Sequence, residues 1–253
     1  MDAVDILLEA RHSHRPLSHM GSAAPADVAA GYAVQRRLAE RLAAVPPAGF
    51  KIGATTAQMQ KYLGLDGPVA GFVPGSSLNR SGFDVPFGPF NRPGVECEIA
   101  VRLGMDLPFG PCDPARAAAA VAAVMPAIEI VENRYADLAA FGTPSLIADQ
   151  IFHAGGVLGE ELSDWRGLDL EAVHGELFVD GVSRGSGHGR DLLGGPMRAL
   201  AWLASSGAAE VFGGLKAGQV IWLGSVTPPI WLDGPCAVRV SFSDWAGVEL
   251  TFP

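Results

Sequence analysis

One acid sits inside an apolar run of this chain. Pro126-Ala127-Ile128-Glu129-Ile130-Val131 has the composition of a buried strand. An ionised carboxylate inside a core needs a cation or several hydrogen-bond donors. Upstream, Val95-Glu96-Cys97-Glu98-Ile99-Ala100 reads as a second strand. Residues two apart in a strand share a face, so Glu96 and Glu98 project together while Cys97 and Ile99 face the other way. An isolated pair of this kind most often marks a solvated face. Glu129 weakens that reading, because three glutamates converging on one side of a sheet suit Mg²⁺ or Mn²⁺. These hard cations take oxygen ligands and keep water positions open for a substrate.

The rest of the chain bounds what could surround such a site. Its 253 residues make one large domain, or one domain with a smaller appendage. With 49% hydrophobic and 18% charged residues it folds, and part of its surface is expected to be buried in a homo-oligomer. A single large core would give the same composition. The net charge of −9, with no run of Lys or Arg, excludes tight nucleic-acid binding. Cys97, Cys112 and Cys236 form no CxxC pair and no disulfide framework, which fits a reducing cytoplasm. The N-terminus lacks a basic segment followed by an apolar one, so no signal peptide is expected. The longest apolar stretch, 117–128, is broken by Pro126 and is too short to span a bilayer.

Periodicity predicts helices over 2–11 and 27–44, the second ended by Pro46-Pro47, then a strand over 49–53 and a helix over 56–63. Residues 68–91 read as loops and short strands, with a sub-domain border near Arg80. Strands are expected over 96–103 and 127–131. The Ala-rich stretch 115–123 reads as a helix capped by Asp113-Pro114. An Asp180-Gly181 turn predicts a hairpin over 176–182. A helix over 196–205 and strands over 219–224, 237–242 and 247–252 complete a strand-rich C-terminal half.

Among other candidates, Lys51 lies in Gly49-Phe50-Lys51-Ile52-Gly53, where glycines let the backbone approach a ligand. A partly desolvated lysine has a lowered pKa and can act as acid or base. An exposed lysine beside a turn is the plainer alternative. His12, His14 and His19 read as a solvated loop. His153, in Ala148-Asp149-Gln150-Ile151-Phe152-His153, reads equally as a site residue or a satisfied core histidine. The glycine loop around His188 lacks the third glycine of a dinucleotide fingerprint, and neither GxSxG nor a P-loop occurs.

The ordered set of segments is more specific than any one of them. GFKIGATT at 49–56, VECEIA at 95–100, PAIEIVENR at 126–134, Ala148-Asp149 with GVLG at 156–159, AWLA at 201–204 and LKAGQVIWLGS at 215–225 resemble the 2-keto-4-pentenoate hydratase and 2-oxo-3-hexenedioate decarboxylase family of the fumarylacetoacetate hydrolase superfamily. Tyr32 and Gln35 resemble the same family's N-terminal AYxxQ segment. The resemblance implies an α+β fold: a fumarylacetoacetase-like mixed β-roll catalytic domain over 81–253 with a smaller helical N-terminal part over 1–80. It implies Mg²⁺ or Mn²⁺ held by Glu96, Glu98 and Glu129, with Lys51 as the acid/base residue. Ile52, Gly53, Asp149, His153 and Ser225 become candidate substrate-binding positions, and a small 2-oxo acid the expected partner. Two segments depart from the family pattern. Glu132-Asn133-Arg134 stands where the family usually has Asp-Ser-Arg, and Gln150, Phe152 and His153 stand where it has Asn and a small, Ser-rich stretch. The implied activity is hydration of a 2-hydroxy-dienoate. Decarboxylation of a vinylogous 2-oxo diacid, acylpyruvate-type C–C hydrolysis and a non-catalytic homologue are the alternatives.

Overall fold

The structure is a computed structural model that describes residues 1–253, the side chain of Ala139 excepted. Helix α1 (Ala3–Ser13) begins at Asp2, whose carboxylate accepts from the Asp5 N–H, and α2 (Val28–Arg41) begins at Asp27, which caps Ala30 in the same way. Then come β1 (Gly49–Gly53), α3 (Ala57–Leu63), β2 (Val69–Val73), β3 (Leu78–Arg80), β4 (Phe83–Asp84) and β5 (Pro93–Leu103). Next are α4 (Pro114–Ala120), β6 (Val121–Glu132), α5 (Leu138–Phe141), α6 (Thr143–Ala148) and β7 (His153–Leu158). The hairpin β8 (His174–Val179) and β9 (Val182–His188) turns at Asp180-Gly181. The chain ends with α7 (Pro196–Ala204), α8 (Gly207–Val211), β10 (Val220–Ser225), β11 (Ile230–Trp231), β12 (Cys236–Phe242) and β13 (Val248–Phe252).

The strands form two sheets. An eight-stranded mixed sheet runs β2-β1-β10-β5-β6-β7-β3, with β11 pairing onto β5, and a five-stranded sheet runs β4-β13-β12-β8-β9. The border expected near residue 80 falls inside the larger sheet, since β1, β2 and β3 precede it and β5, β6, β7 and β10 follow it. The Ala-rich segment is helical only to Ala120. Val121 and Ala123 pair with Leu103 and Arg102 of β5, and this ladder overrides the helical preference of alanine over residues 121–123.

Side-chain alternation gives the large sheet two unlike faces. Val95, Cys97, Ile99 and Val101 of β5, with Val124, Ile128 and Ile130 of β6, enter the main hydrophobic core. The opposite parity carries Ala100, Met125, Ala127, Val73 and Val220, packed around Trp222 in a second, smaller cluster. Glu96, Glu98 and Glu129 share that parity. Fully buried Ala100, Ala127 and Met125 continue their faces along β5 and β6. Among the described residues, no helix is long and apolar enough to cross a membrane.

Candidate active site

Two neighbouring strands carry the acids, and a third, β10, flanks them. Glu96 on β5 lies directly opposite Glu129 on β6, and Glu98 lies opposite Ser225 on β10. One carboxylate oxygen from each of Glu96, Glu98 and Glu129 falls within 4.8 Å of the others. This is no solvated face, for Glu98 and Glu129 are 0% exposed. Lys51 reaches in from β1, 2% exposed, with Nζ 3.2 Å from Glu129 Oε1. His153 Nδ1 is 2.8 Å from the same oxygen. The Gly224 N–H donates to Glu98 Oε2 at 2.9 Å from an irregular stretch of β10 between Trp222 and Ser225. Only glycine suits that position: φ is +109° and a Cβ would lie 2.4 Å from Thr55 Cγ2.

The remaining oxygens, Glu98 Oε1 and Glu129 Oε2, are buried without a partner. Buried polar groups are almost always satisfied, so two orphaned carboxylate oxygens beside a third acid fit a hard divalent cation. The electrostatics carry the same signature. Burial and the Glu129 carboxylate push Glu96 up to about 8, and burial with both neighbouring glutamates pushes Glu98 well up. Burial also acts to raise Glu129, yet Lys51 and His153 outweigh it and bring this carboxyl down to about 2. Lys51 differs from the sequence expectation of a lowered value. Burial pulls it down, but Glu129, Glu96 and Glu98 together hold it above its ordinary value, so the amine is a firmly protonated acid. Burial lowers His153 against the pull of Glu129 and keeps its imidazole neutral near pH 7.

A cavity of about 490 Å³ opens onto this cluster. Of the candidate site residues, Ile52, Gly53, Glu96 and Ser225 line it. Gly53 lies between the cavity and Lys51: a Cβ there would sit 3.3 Å from Ile151 Cγ2 and 3.6 Å from Lys51 Nζ. Gly49 serves packing instead: a Cβ would meet the Val220 carbonyl oxygen at 1.8 Å, where β1 runs beside β10. The structure does not place Asp149 or His153 on the cavity wall. Asp149 Oδ2 accepts from Arg134 Nε at 3.1 Å and Tyr135 Oη at 2.7 Å, and Oδ1 accepts from Arg11 Nε at 3.1 Å. Burial would raise this carboxyl, but the two guanidiniums hold it below its ordinary value. It ties α1 to the end of β6. Glu132 and Arg134, in the segment that departs from the family pattern, pair at 3.1 Å within the same knot.

The wall also holds residues that spacing did not single out, notably Thr55, Thr227, Met59, Leu193 and Asp191. Thr55 lies two residues after the GFKIG strand, the one local signal that could have marked it. Among the described residues, no Lys, Arg or His lines the cavity.

Comparison with known proteins agrees with this architecture. Residues 44–248 match the family described as fumarylacetoacetate (FAA) hydrolase C-terminal. The chain is 31% identical to a 2-keto-4-pentenoate hydratase of Burkholderia vietnamiensis, over 94% of this chain and 95% of that protein. It is 32% identical to a 4-oxalocrotonate decarboxylase of a Pseudomonas species, over 76% of this chain and 73% of the relative. A solved 4-oxalocrotonate decarboxylase from Pseudomonas putida G7, complexed with magnesium and adipate, superposes with a TM-score of 0.89 at 22% identity, covering 99% of this chain and 97% of the other. With the match over most of its length and the shared two-sheet fold, the chain belongs to the fumarylacetoacetate hydrolase family.

Proposed function

We propose that this protein is a metal-dependent hydro-lyase that adds water to a 2-hydroxy-2,4-dienoate of the 2-keto-4-pentenoate type, giving a 4-hydroxy-2-oxo acid in aromatic catabolism. The observation that carries the proposal is the convergence of Glu96, Glu98 and Glu129 around Lys51 beside the cavity. Relatives named 2-keto-4-pentenoate hydratase, 31% identical over most of the chain, support the same reaction. The three glutamates would hold Mg²⁺ or Mn²⁺. When bound, such an ion supplies Lewis-acid stabilisation of negative charge on the 2-oxo oxygen of a chelated 2-oxo acid.

The chain's own residues supply the proton chemistry. The dienol loses its 2-hydroxyl proton and gains one at C5, giving a 2-oxo-3-enoate. Lys51, protonated and next to the cavity-wall residue Gly53, would deliver that proton. Water then adds its oxygen at C4 and a proton at C3. The hydroxyls of Thr55, Ser225 and Thr227 line the cavity and are available to orient that water.

A diacid decarboxylase is the second reading, favoured by the decarboxylase relative. The wall charge weighs against it. Among the described residues Glu96 and Asp191 are its charged members, and the amine of Lys51 behind the wall is already paired with Glu129, which leaves no free cation on the wall for a distal carboxylate. The site suits a substrate with an uncharged tail. The apolar composition and free cysteines support a homo-oligomer working in the cytoplasm.

Incubation of the pure protein with 2-hydroxypenta-2,4-dienoate and Mg²⁺ tests the proposal. Loss of the diene absorbance with appearance of 4-hydroxy-2-oxopentanoate is expected. Release of carbon dioxide from a 2-oxo-hexenedioate, with the dienoate untouched, would assign the decarboxylase instead. Turnover of neither, with metal bound, would leave a non-catalytic homologue.

A further inference from the structure

We propose that His153 is a positioning residue: it holds one oxygen of Glu129 so that the other stays aimed at the cation. This inference rests on the reading of the three glutamates as a divalent-metal site.

Glu129 Oε1 is held twice, by His153 Nδ1 at 2.8 Å and by Lys51 Nζ at 3.2 Å, while Oε2 is buried with no partner. A carboxylate with both oxygens free can rotate about its terminal bond. One fixed by two donors on the same oxygen presents the other in a single direction. An ionised carboxylate only accepts, so His153 Nδ1 carries the proton and Nε2 is left to accept from Ser77 Oγ, 3.2 Å away. The ring is therefore anchored at both nitrogens. Lys51 is also needed for proton transfer, which leaves His153 as the donor with no duty but orientation.

The backbone delivering this side chain is unusual. Gln150, Ile151 and Phe152 have φ of +59°, +49° and +67°, three successive non-glycine residues in left-handed conformation, one of them β-branched. Such residues cost on the order of 1–3 kcal/mol each and persist only where their surroundings over-determine them. Those surroundings are present. The His153 N–H donates to the Gln150 carbonyl at 3.2 Å, Gln150 Nε2 donates to the Phe72 carbonyl at 2.6 Å, and the Arg134 guanidinium donates to the His153 carbonyl at 3.4 Å. The turn carries the chain from α6 into β7 with His153 at the first strand position, behind Glu129 rather than on the cavity wall. The knot of buried Arg134 and Asp149 with half-buried Arg11 thereby acts on the site through His153.

Titration of free Mn²⁺ by electron paramagnetic resonance, on metal-free protein without substrate, reads this role directly. His153→Asn keeps a donor where Nδ1 stands and is expected to bind Mn²⁺ within a factor of about 3 of wild type. His153→Leu removes the donor and is expected to bind about 10- to 100-fold more weakly, the usual effect of losing a partner that orients a ligand. Should the Leu variant fail to fold, His153→Gln gives the same comparison, because its longer amide reaches past Glu129 toward Ser77. Equal Mn²⁺ affinity in the Asn variant and in the folded Leu or Gln variant would overturn the inference and leave His153 as core filling. Absence of Mn²⁺ binding by the wild type would overturn the metal-site reading itself, and this inference with it.

Discussion

Glu96 and Glu129 stand directly opposite one another in the β5–β6 register, and like charges so placed destabilise a sheet. Without a cation, Glu96 and Glu98 answer by holding protons. Carboxyls whose folded value is raised contribute stability that is present below their ordinary value of 4.5 and is lost as pH climbs, through about 8 for Glu96. Two neighbours act elsewhere. Glu129, lowered to about 2, loses its contribution only in acid, and His153, lowered from 6.5, loses its own as pH falls below that value. The clean window is therefore pH 6.5 to 8. Thermal melts of metal-free protein should drop across it, and the gain in Tm on adding Mg²⁺ should be larger at the upper end. Equal gains at both ends would mean that the cation does not bind among these carboxyls.

Lys51→Met should separate chemistry from binding. Loss of the one amine beside the trio is expected to lower kcat by about 10²- to 10⁴-fold, the usual worth of a general acid. Mn²⁺ affinity should persist, since His153 still holds Glu129 Oε1 and the positive charge lost from beside the cation offsets the loss of the second donor. Steady-state kinetics beside a Mn²⁺ titration measure both, and near-normal kcat would remove Lys51 from the mechanism.

Asp149→Asn should act on stability and not on the substrate. Its carboxylate is the partner of two guanidiniums, Arg11 and Arg134, and removing one member of a buried ion pair costs about 3–5 kcal/mol. Urea unfolding should show a loss of this order, with KM of the surviving folded enzyme close to wild type. A large rise in KM without loss of stability would return Asp149 to the binding surface.

The uncharged-tail reading is open to a gain-of-function test. Gln58 lines the cavity, and Gln58→Arg would place a cation on a wall that has none among the described residues. The expected result is a higher kcat/KM for a dicarboxylic 2-hydroxy-dienoate, by about tenfold for about 1.4 kcal/mol of added attraction, with little change for the monocarboxylate. A wild-type enzyme that already prefers the diacid would refute this account of specificity.

The parts of this fold that depend on nearest neighbours were legible in the chain. Strand alternation placed Glu96 and Glu98 on one face and Cys97 and Ile99 on the other, and Asp180-Gly181 marked its hairpin. Glu129 could be flagged because an acid inside an apolar strand is costly wherever it ends up. The parts that depend on distant partners were not legible. The helix expected over 115–123 stops at Ala120 because β5 claims the residues beyond it, and alanine alone does not report where a ladder begins. Lys51 has a raised value because three carboxylates from two other strands outweigh burial, and burial is the only one of those effects that the glycines around it suggest. Asp149 reads as a pocket residue until Arg11, 138 positions away, is seen to hold it. His153 was balanced between site and core, and the structure shows it buried and bonded to a candidate ligand.

The most direct test of the central claim is anomalous diffraction from crystals grown with Mn²⁺. The account predicts one strong peak per chain, with an oxygen from each of Glu96, Glu98 and Glu129 at about 2.1 Å, the spacing of small octahedral dications. A peak bound elsewhere, or none while the three carboxylates turn away from one another, would contradict it.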